Sequence, residues 1–283
     1  MYNAVGIYAG LTVAPFRLPA GRLHSRGLNK GGIRAEEGKE YKAVEATYNA
    51  DHLKSNRLLG ALPVEEFEHL RPHLETVTLE VKDFLYERDV PIEHVYFPID
   101  CVTSVMAKMK DGRMVEVGTI GKEGMDGLPV FLGAQTAPLT SFCQVPGDAA
   151  RMAADALRSE VGPGDRLHEL LRRFTEATLV FAAQSSACNR LHSVEQRCSR
   201  WILHTHDRVG KDEFHLTQEF LSQMLGVRRA SVSEVASALQ SEGLISYWRG
   251  TLRILDRSGL EAVACECHGV ITKEFDRLLD SGP

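Results

Sequence analysis

"GVRRASVSEVASALQSEGLI", residues 226–245, decides how the C-terminal part of this chain reads. Gly226 supplies a turn, and a helix with one apolar stripe follows from about Arg228 to Glu242. Before it, "TQEFLSQML" at 217–225 makes a first helix, with Thr217 where a capping side chain satisfies a free backbone N–H. Leu221, Leu225, Val227, Val232, Val235 and Leu239 form the apolar set, and Ser222 is small enough for the two helices to cross closely. This is helix-turn-helix spacing. Arg229, Ala230, Ser233, Glu234 and Ser237 fall on the outward side. They are poor core residues and suitable readers of base edges, since an arginine donates two hydrogen bonds to a guanine. The first-turn N–H groups and Ser231 suit a phosphate.

After Gly243, "LISYWRGTLRILD" reads as a hairpin turning at Arg249-Gly250, which behind a helix-turn-helix is a wing. Between 226 and 257, Arg228, Arg229, Arg249, Arg253 and Arg257 face only Glu234, Glu242 and Asp256. The local charge of +2, in a chain of −5, falls where a phosphate backbone would lie.

Upstream, "RLHELLRRFTEATLVFAAQSSAC" at 166–188 is helical. Leu167, Leu171, Phe174, Thr178, Phe181, Ser185 and Cys188 recur in steps of four and three. Such a stripe suits pairing with a second copy, or packing on a neighbouring domain. Next, "SVEQRCSRWILHTHDRV" at 193–209 makes another helix. Further back, "NRLLGALPVEEFEHLRPHL" at 56–74 has helical spacing broken by prolines. Short β-type runs follow: VTLEV, FLYE, HVYFP, CVTSVMAKM, MVEVGTI and TSFCQV, with Asp111-Gly112 as a hairpin cue. Many short strands at close spacing indicate an antiparallel sandwich or roll.

The composition, 43% hydrophobic and 25% charged, is that of a globular protein, and no apolar run approaches the roughly 18 residues of a membrane span. Residues 1–50 are Gly-rich with neither clean period, and are expected to be a leader outside the folded domains. The six cysteines are scattered, which favours reduced thiols in the cytoplasm. "CECH" at 265–268 suggests a metal, as do Cys188, His192, Cys198, His204 and His206. None has paired Cys-x-x-Cys spacing, so the expectation is ordinary helix residues, no metal and no cofactor. No nucleophile–base set stands out, so an enzyme is not expected.

On these motifs the chain resembles the cyclic-AMP receptor protein/Fnr family of bacterial transcription regulators over about residues 53–270. The resemblance implies an α+β protein. Its parts would be a β-roll sensory domain (51–160), a dimerisation helix (164–192) and a winged helix-turn-helix (193–270), with a C-terminal tail (271–283). It implies a homodimer acting on an inverted-repeat operator in double-stranded DNA, with RNA polymerase as a further partner and no membrane. The DNA-contacting set is then Thr217, Arg228, Arg229, Ala230, Ser231, Ser233, Glu234, Ser237 and Arg249, with Arg229 as the base-reading arginine. Ala230 and Glu234 stand where the best-known members carry glutamate and arginine. The dimer seam is assigned to Leu167, Leu171, Phe174, Thr178 and Phe181.

In the sensory domain the resemblance is weaker. The family's nucleotide cassette has a glutamate for the ribose and an arginine-serine pair for the cyclic phosphate. Here "GMDGL" at 124–128 puts Met125 at the glutamate position, and no arginine occurs between Arg113 and Arg151. The corresponding pocket, Gly124, Met125, Asp126, Gly127, Leu128, Leu139, Thr140 and Ser141, is therefore expected to be degenerate. Any effector would be a different molecule of unknown identity. The alternative reading is a regulatory module that binds a signal or protein through the roll and has weak DNA affinity.

Overall fold

The computed structural model describes residues 50–280. Residues 1–49 and 281–283 lie outside the described residues, and the expected leader falls there. Asn56 starts the roll domain by capping a short helix: its carboxamide accepts from the N–H groups of Leu58 and Leu59 and donates to Pro98 and Gly124 carbonyls, each at 2.9 Å. Leu58, Leu59, Phe67 and Leu70 are thereby buried under the sheets.

Seven strands follow: β1 (Glu75–Leu79), β2 (Phe84–Tyr86), β3 (His94–Pro98), β4 (Val102–Lys108), β5 (Met114–Ile120), β6 (Thr140–Val145) and β7 (Gly147–Ala153). They form two antiparallel sheets, ordered β1-β7-β3 and β2-β6-β4-β5. Gly112, at φ 88°, turns the β4–β5 hairpin at the Asp-Gly cue. Six strands coincide with the runs legible in the sequence. The seventh, β7, "GDAARMA", lies at the centre of the first sheet, where Ala149 and Ala150 are fully buried between two neighbours. Its only arginine, Arg151, donates to Glu75 at 3.1 Å across the ladder.

The long helix, Arg166–Leu191, starts on the roll: Glu66 caps it by accepting from the N–H groups of Arg166 and Leu167. Its apolar stripe is where the structure departs from the expected dimer seam. Leu167, Leu171, Phe174 and Phe181 are all buried within one chain, and Thr178 is half-buried with its hydroxyl on the Phe174 carbonyl. The roll covers one side of this stripe. A Cβ at Gly124 would sit 2.3 Å from the Phe174 ring, so only glycine allows that approach.

The C-terminal helix, Cys267–Asp280, covers the other side. Phe275 meets Phe174 and Phe181 at ring-centroid distances of 6.1 and 6.5 Å, and Ile271 and Leu278 join the same core. The expected tail is thus a core helix. Periodicity identifies a buried stripe without saying what buries it, and within this chain the roll and the C-terminal helix supply the cover. Among the described residues, no helix is long and apolar enough to cross a membrane.

Phe275→Ala should cost about 3–5 kcal/mol, by loss of buried ring area and the cavity left behind. Urea denaturation followed by circular dichroism measures it, and a loss below about 1 kcal/mol would mean the helix is not integral to the core.

Candidate nucleic-acid interface

The C-terminal unit begins with helix Val194–Val209, whose N-terminus closes with a reciprocal capping box between Ser193 and Gln196. Strand β8 (Glu213–His215) leads into the first helix of the motif, Gln218–Leu225, and the Thr217 hydroxyl accepts from the Phe220 N–H at 3.1 Å. Gly226 then takes φ 64°, a left-handed conformation that ends the helix and redirects the chain. The recognition helix runs Arg229–Ser241, with Arg228 at its N-cap. Ser222, Leu221, Leu225, Val232 and Leu239 are buried between the two helices and their neighbours.

Arg228, Arg229, Ala230, Glu234 and Ser237 are exposed along one side of the recognition helix. The side chains of Arg228 and Arg229 make no hydrogen bond or ion pair among the described residues. No side chain caps this helix, so its N-terminal dipole faces outward between two arginines. Ser231 and Ser233 are half-buried. The Ser233 hydroxyl donates to Gln218 Oε1 at 2.7 Å, which ties the two helices together and takes Ser233 out of the free reading face.

The wing pairs β9 (Ile245–Trp248) with β10 (Thr251–Ile254), and β8 adds a third strand on the far edge of β10. Arg249 and Gly250, at φ 47° and 83°, form the tip. The Arg249 guanidinium lies 5.1 Å from the ring centroid of Trp248, which is 69% exposed. Sequence reading did not single out Trp248 or Gln218, although an aromatic directly before a turn arginine is a usable signal. Arg257, counted in the basic patch, is instead half-buried and paired with Asp207 at 2.7 Å and Glu261 at 2.8 Å.

This unit rests on the second sheet of the roll. Phe220 stacks edge-on against Phe142 at 5.9 Å, and Ser104 reaches Met224. Trp201 Nε1 donates to Glu116 Oε1 at 2.9 Å while Ser104 donates to Oε2 at 2.8 Å. Arg208 and Glu123 form a second, buried pair at 2.7 Å.

The cassette region is packed shut. Met125, Asp126 and Ser141 have no exposed surface, Gly124, Gly127 and Thr140 are buried, and Leu128 and Leu139 are half-buried. Burial holds the Asp126 carboxyl above its usual range against hydrogen bonds from Ser141 and Thr103, and burial beside Asp126 raises the Tyr86 phenol further. Arg151 is committed to Glu75, and the Lys122 amine lies toward Gly210. An anion placed at the centre of this segment would meet the buried Asp126 carboxyl.

Residues 196–263 match the family model of the Crp-like helix-turn-helix domain. No curated protein matches the sequence. Among solved structures, FixK2 from Bradyrhizobium japonicum aligns with TM-score 0.59 and 16% identity, over 68% of this chain and 98% of that one. TTHB099, a CRP-family transcriptional regulator from Thermus thermophilus, aligns at 0.54 and 18%, over 66% and 95%. The c-di-GMP-responsive regulator CLP from Xanthomonas campestris aligns at 0.54 and 16%, over 68% and 99%.

Burial pushes the Glu116 carboxyl from an ordinary value of 4.5 up to about 7, with Ser104, Trp201, Arg208 and Arg200 opposing it. Between those values the folded protein holds a proton that the unfolded chain has released, so stability falls as pH rises through the window. Glu116→Gln keeps an acceptor for Trp201. It should flatten that slope and be the more stable protein at about pH 8, as read from urea midpoints from about pH 5 upward. An unchanged slope would show that Glu116 titrates normally.

With the motif, the wing and the roll in one arrangement, residues 196–263 match the Crp-like helix-turn-helix domain, and the chain has the fold of solved Crp/Fnr-family transcriptional regulators.

Proposed function

We propose that this protein is a transcription regulator that binds double-stranded DNA through the recognition helix, as a homodimer on an inverted repeat. The observation that carries this reading is the exposed helix face headed by Arg228 and Arg229 at an uncapped N-terminus, flanked by the Trp248–Arg249 wing tip. Arg229 reads a guanine, Ala230 suits a thymine methyl group, and Glu234 can accept from a cytosine amine. Arg228, about 100° around the helix, and Arg249 hold phosphates.

The dimer uses the open side of the long helix. Thr175, Leu179, Ala182 and Ser186 recur in steps of four and three, and Leu179 is 67% exposed. The operator half-sites then lie about one helical turn apart. Leu179→Glu should give a monomer in sedimentation, with weaker operator binding. A wild-type monomer of full affinity would exclude this assembly.

The roll is not a cyclic-nucleotide receptor. A buried phosphate without a cation costs several kcal/mol, and the cassette supplies Asp126 instead. Calorimetric titration with cyclic AMP or cyclic GMP should show no heat of binding, and micromolar affinity for either would overturn this. A regulated signal, if the roll has one, enters by another route.

The two arginines separate experimentally on an operator selected from random DNA. Arg229→Ala should cost about 1–3 kcal/mol on that operator and relax preference at one base pair per half-site. Arg228→Ala should weaken all sequences alike and reduce the salt slope by about one phosphate contact. Fluorescence anisotropy on single-base operator variants across a salt series reads both. Equal loss on every sequence for Arg229→Ala would remove it as the base reader.

A further inference from the structure

Four side chains from two distant segments converge where the long helix ends. Cys188 lies in its last turn, and His192 is its C-cap, one helical turn further on. Cys265 and Cys267 flank Glu266 at the start of the C-terminal helix. The four potential ligand atoms all lie within 4.8 Å of one another. Cys188 Sγ is 3.5 Å from Cys265 Sγ, and Cys267 Sγ is 3.5 Å from His192 Nδ1. The three cysteines are buried and form a small cluster separate from both apolar cores.

Packing alone gives no reason for the His192 imidazole to stand among three thiols, which are only weak hydrogen-bond donors and acceptors. A Cys188–Cys265 disulfide would bring two sulfurs to about 2.05 Å and leave Cys267 and His192 without a reason to be there. A single cation explains all four. Zn–S and Zn–N lengths of about 2.3 and 2.1 Å put the corners of a tetrahedron about 3.6–3.8 Å apart, close to the Cys188–Cys265 and Cys267–His192 separations and inside the 4.8 Å that spans all four atoms. A multi-iron cluster would hold its thiolates further apart around a cage. Thiolates with imidazole also disfavour magnesium and calcium.

The surroundings agree with an ion at this point. His192 Nε2 lies 3.3 Å from Glu266 Oε2, which keeps a proton on Nε2 and leaves Nδ1 free to ligate. Gln184 Nε2 donates to Cys267 Sγ at 3.1 Å. Three thiolates around a divalent cation carry one net negative charge. Arg197 and Arg200 stand beside this group, and each has a buried Nε without a hydrogen-bond partner among the described residues.

The geometry points to one zinc ion held by Cys188 Sγ, His192 Nδ1, Cys265 Sγ and Cys267 Sγ, a closed structural site clasping the long helix to the C-terminal helix. Helix Val194–Val209 starts two residues after His192, so the clasp sets where the DNA-binding unit leaves the long helix. His204, Asp207 and His268 also lie within 4.8 Å of one another, but Asp207 is already paired with Arg257 at 2.7 Å. They serve as an internal control.

The test is metal analysis of the full chain, purified under reducing conditions with zinc supplied and any tag removed. One zinc per chain is expected, released by a mercurial thiol reagent. Cobalt added to the chelator-stripped protein should give the visible bands of a tetrahedral site and a thiolate-to-cobalt charge-transfer band. Cys188→Ser with Cys267→Ser should abolish both signals, whereas His268→Ala and Cys198→Ser should keep them. Glu266→Gln should weaken zinc binding by about 10–100-fold while leaving the fold intact. Absence of zinc together with a featureless cobalt titration of the wild type would overturn the proposal, whatever the variants do. So would a Cys188–Cys265 disulfide under the same reducing conditions, or zinc lost through His268→Ala alone.

Discussion

The apolar stripe of the long helix is the contact on which the rest of the structure depends. Phe174 and Phe181 lie between the roll and Phe275 of the C-terminal helix, and Gly124 allows the Phe174 ring to touch the cassette backbone. Because both sides of the stripe are filled from the same chain, the helix is fixed rigidly to the roll at one end. At the other, it is held by whatever secures the C-terminal helix. Rotation of one part without the other would open this core, and cores resist such strain because they are packed at close to crystal density.

The helix-turn-helix unit is held against the roll by a smaller and more polar contact. Phe142 and Phe220 supply apolar area, while Glu116, Ser104, Trp201 and the Arg208–Glu123 pair supply directional bonds. Buried polar contacts of this kind are sensitive to geometry, since a lost partner leaves an unsatisfied group behind. The two junctions contrast: a rigid, apolar one along the long helix, and a directional one beneath helices Val194–Val209 and Gln218–Leu225. The cassette segment itself is closed over the buried Asp126 and Ser141.

How legible this was differs by element. The recognition helix, its turn at Gly226 and the wing tip at Arg249-Gly250 were all readable, because local chemistry specifies them: a left-handed glycine, a threonine cap, a two-residue hairpin. Ser233 read as outward-facing and Arg257 as part of the basic patch, and the partners each has were not legible. Whether a polar side chain on a helix faces solvent or a partner such as Asp207 or Gln218 depends on elements distant in the chain. Strand β7 was invisible for a related reason. Lying between two strands with alanines on its buried positions, "GDAARMA" shows neither the alternation nor the β-branched residues by which a strand is recognised.

By itself the sequence determined the order of the elements, the six strands with legible runs, the helix-turn-helix with its exposed arginines, and the absence of any arginine between Arg113 and Arg151. Only the tertiary structure decided what covers each apolar stripe. The stripe of the long helix reads equally as a seam for a second copy or as a core, and the C-terminal helix, read locally as a tail, is what occupies it. The cysteines follow the same rule. Spacing reveals a metal site when the ligands are neighbours in sequence. Cys188 and His192 meet Cys265 and Cys267 only because two helices more than seventy residues apart are packed side by side. Periodicity is a property of one segment, whereas burial and ligation belong to pairs of segments, and the pairing is settled by the whole fold.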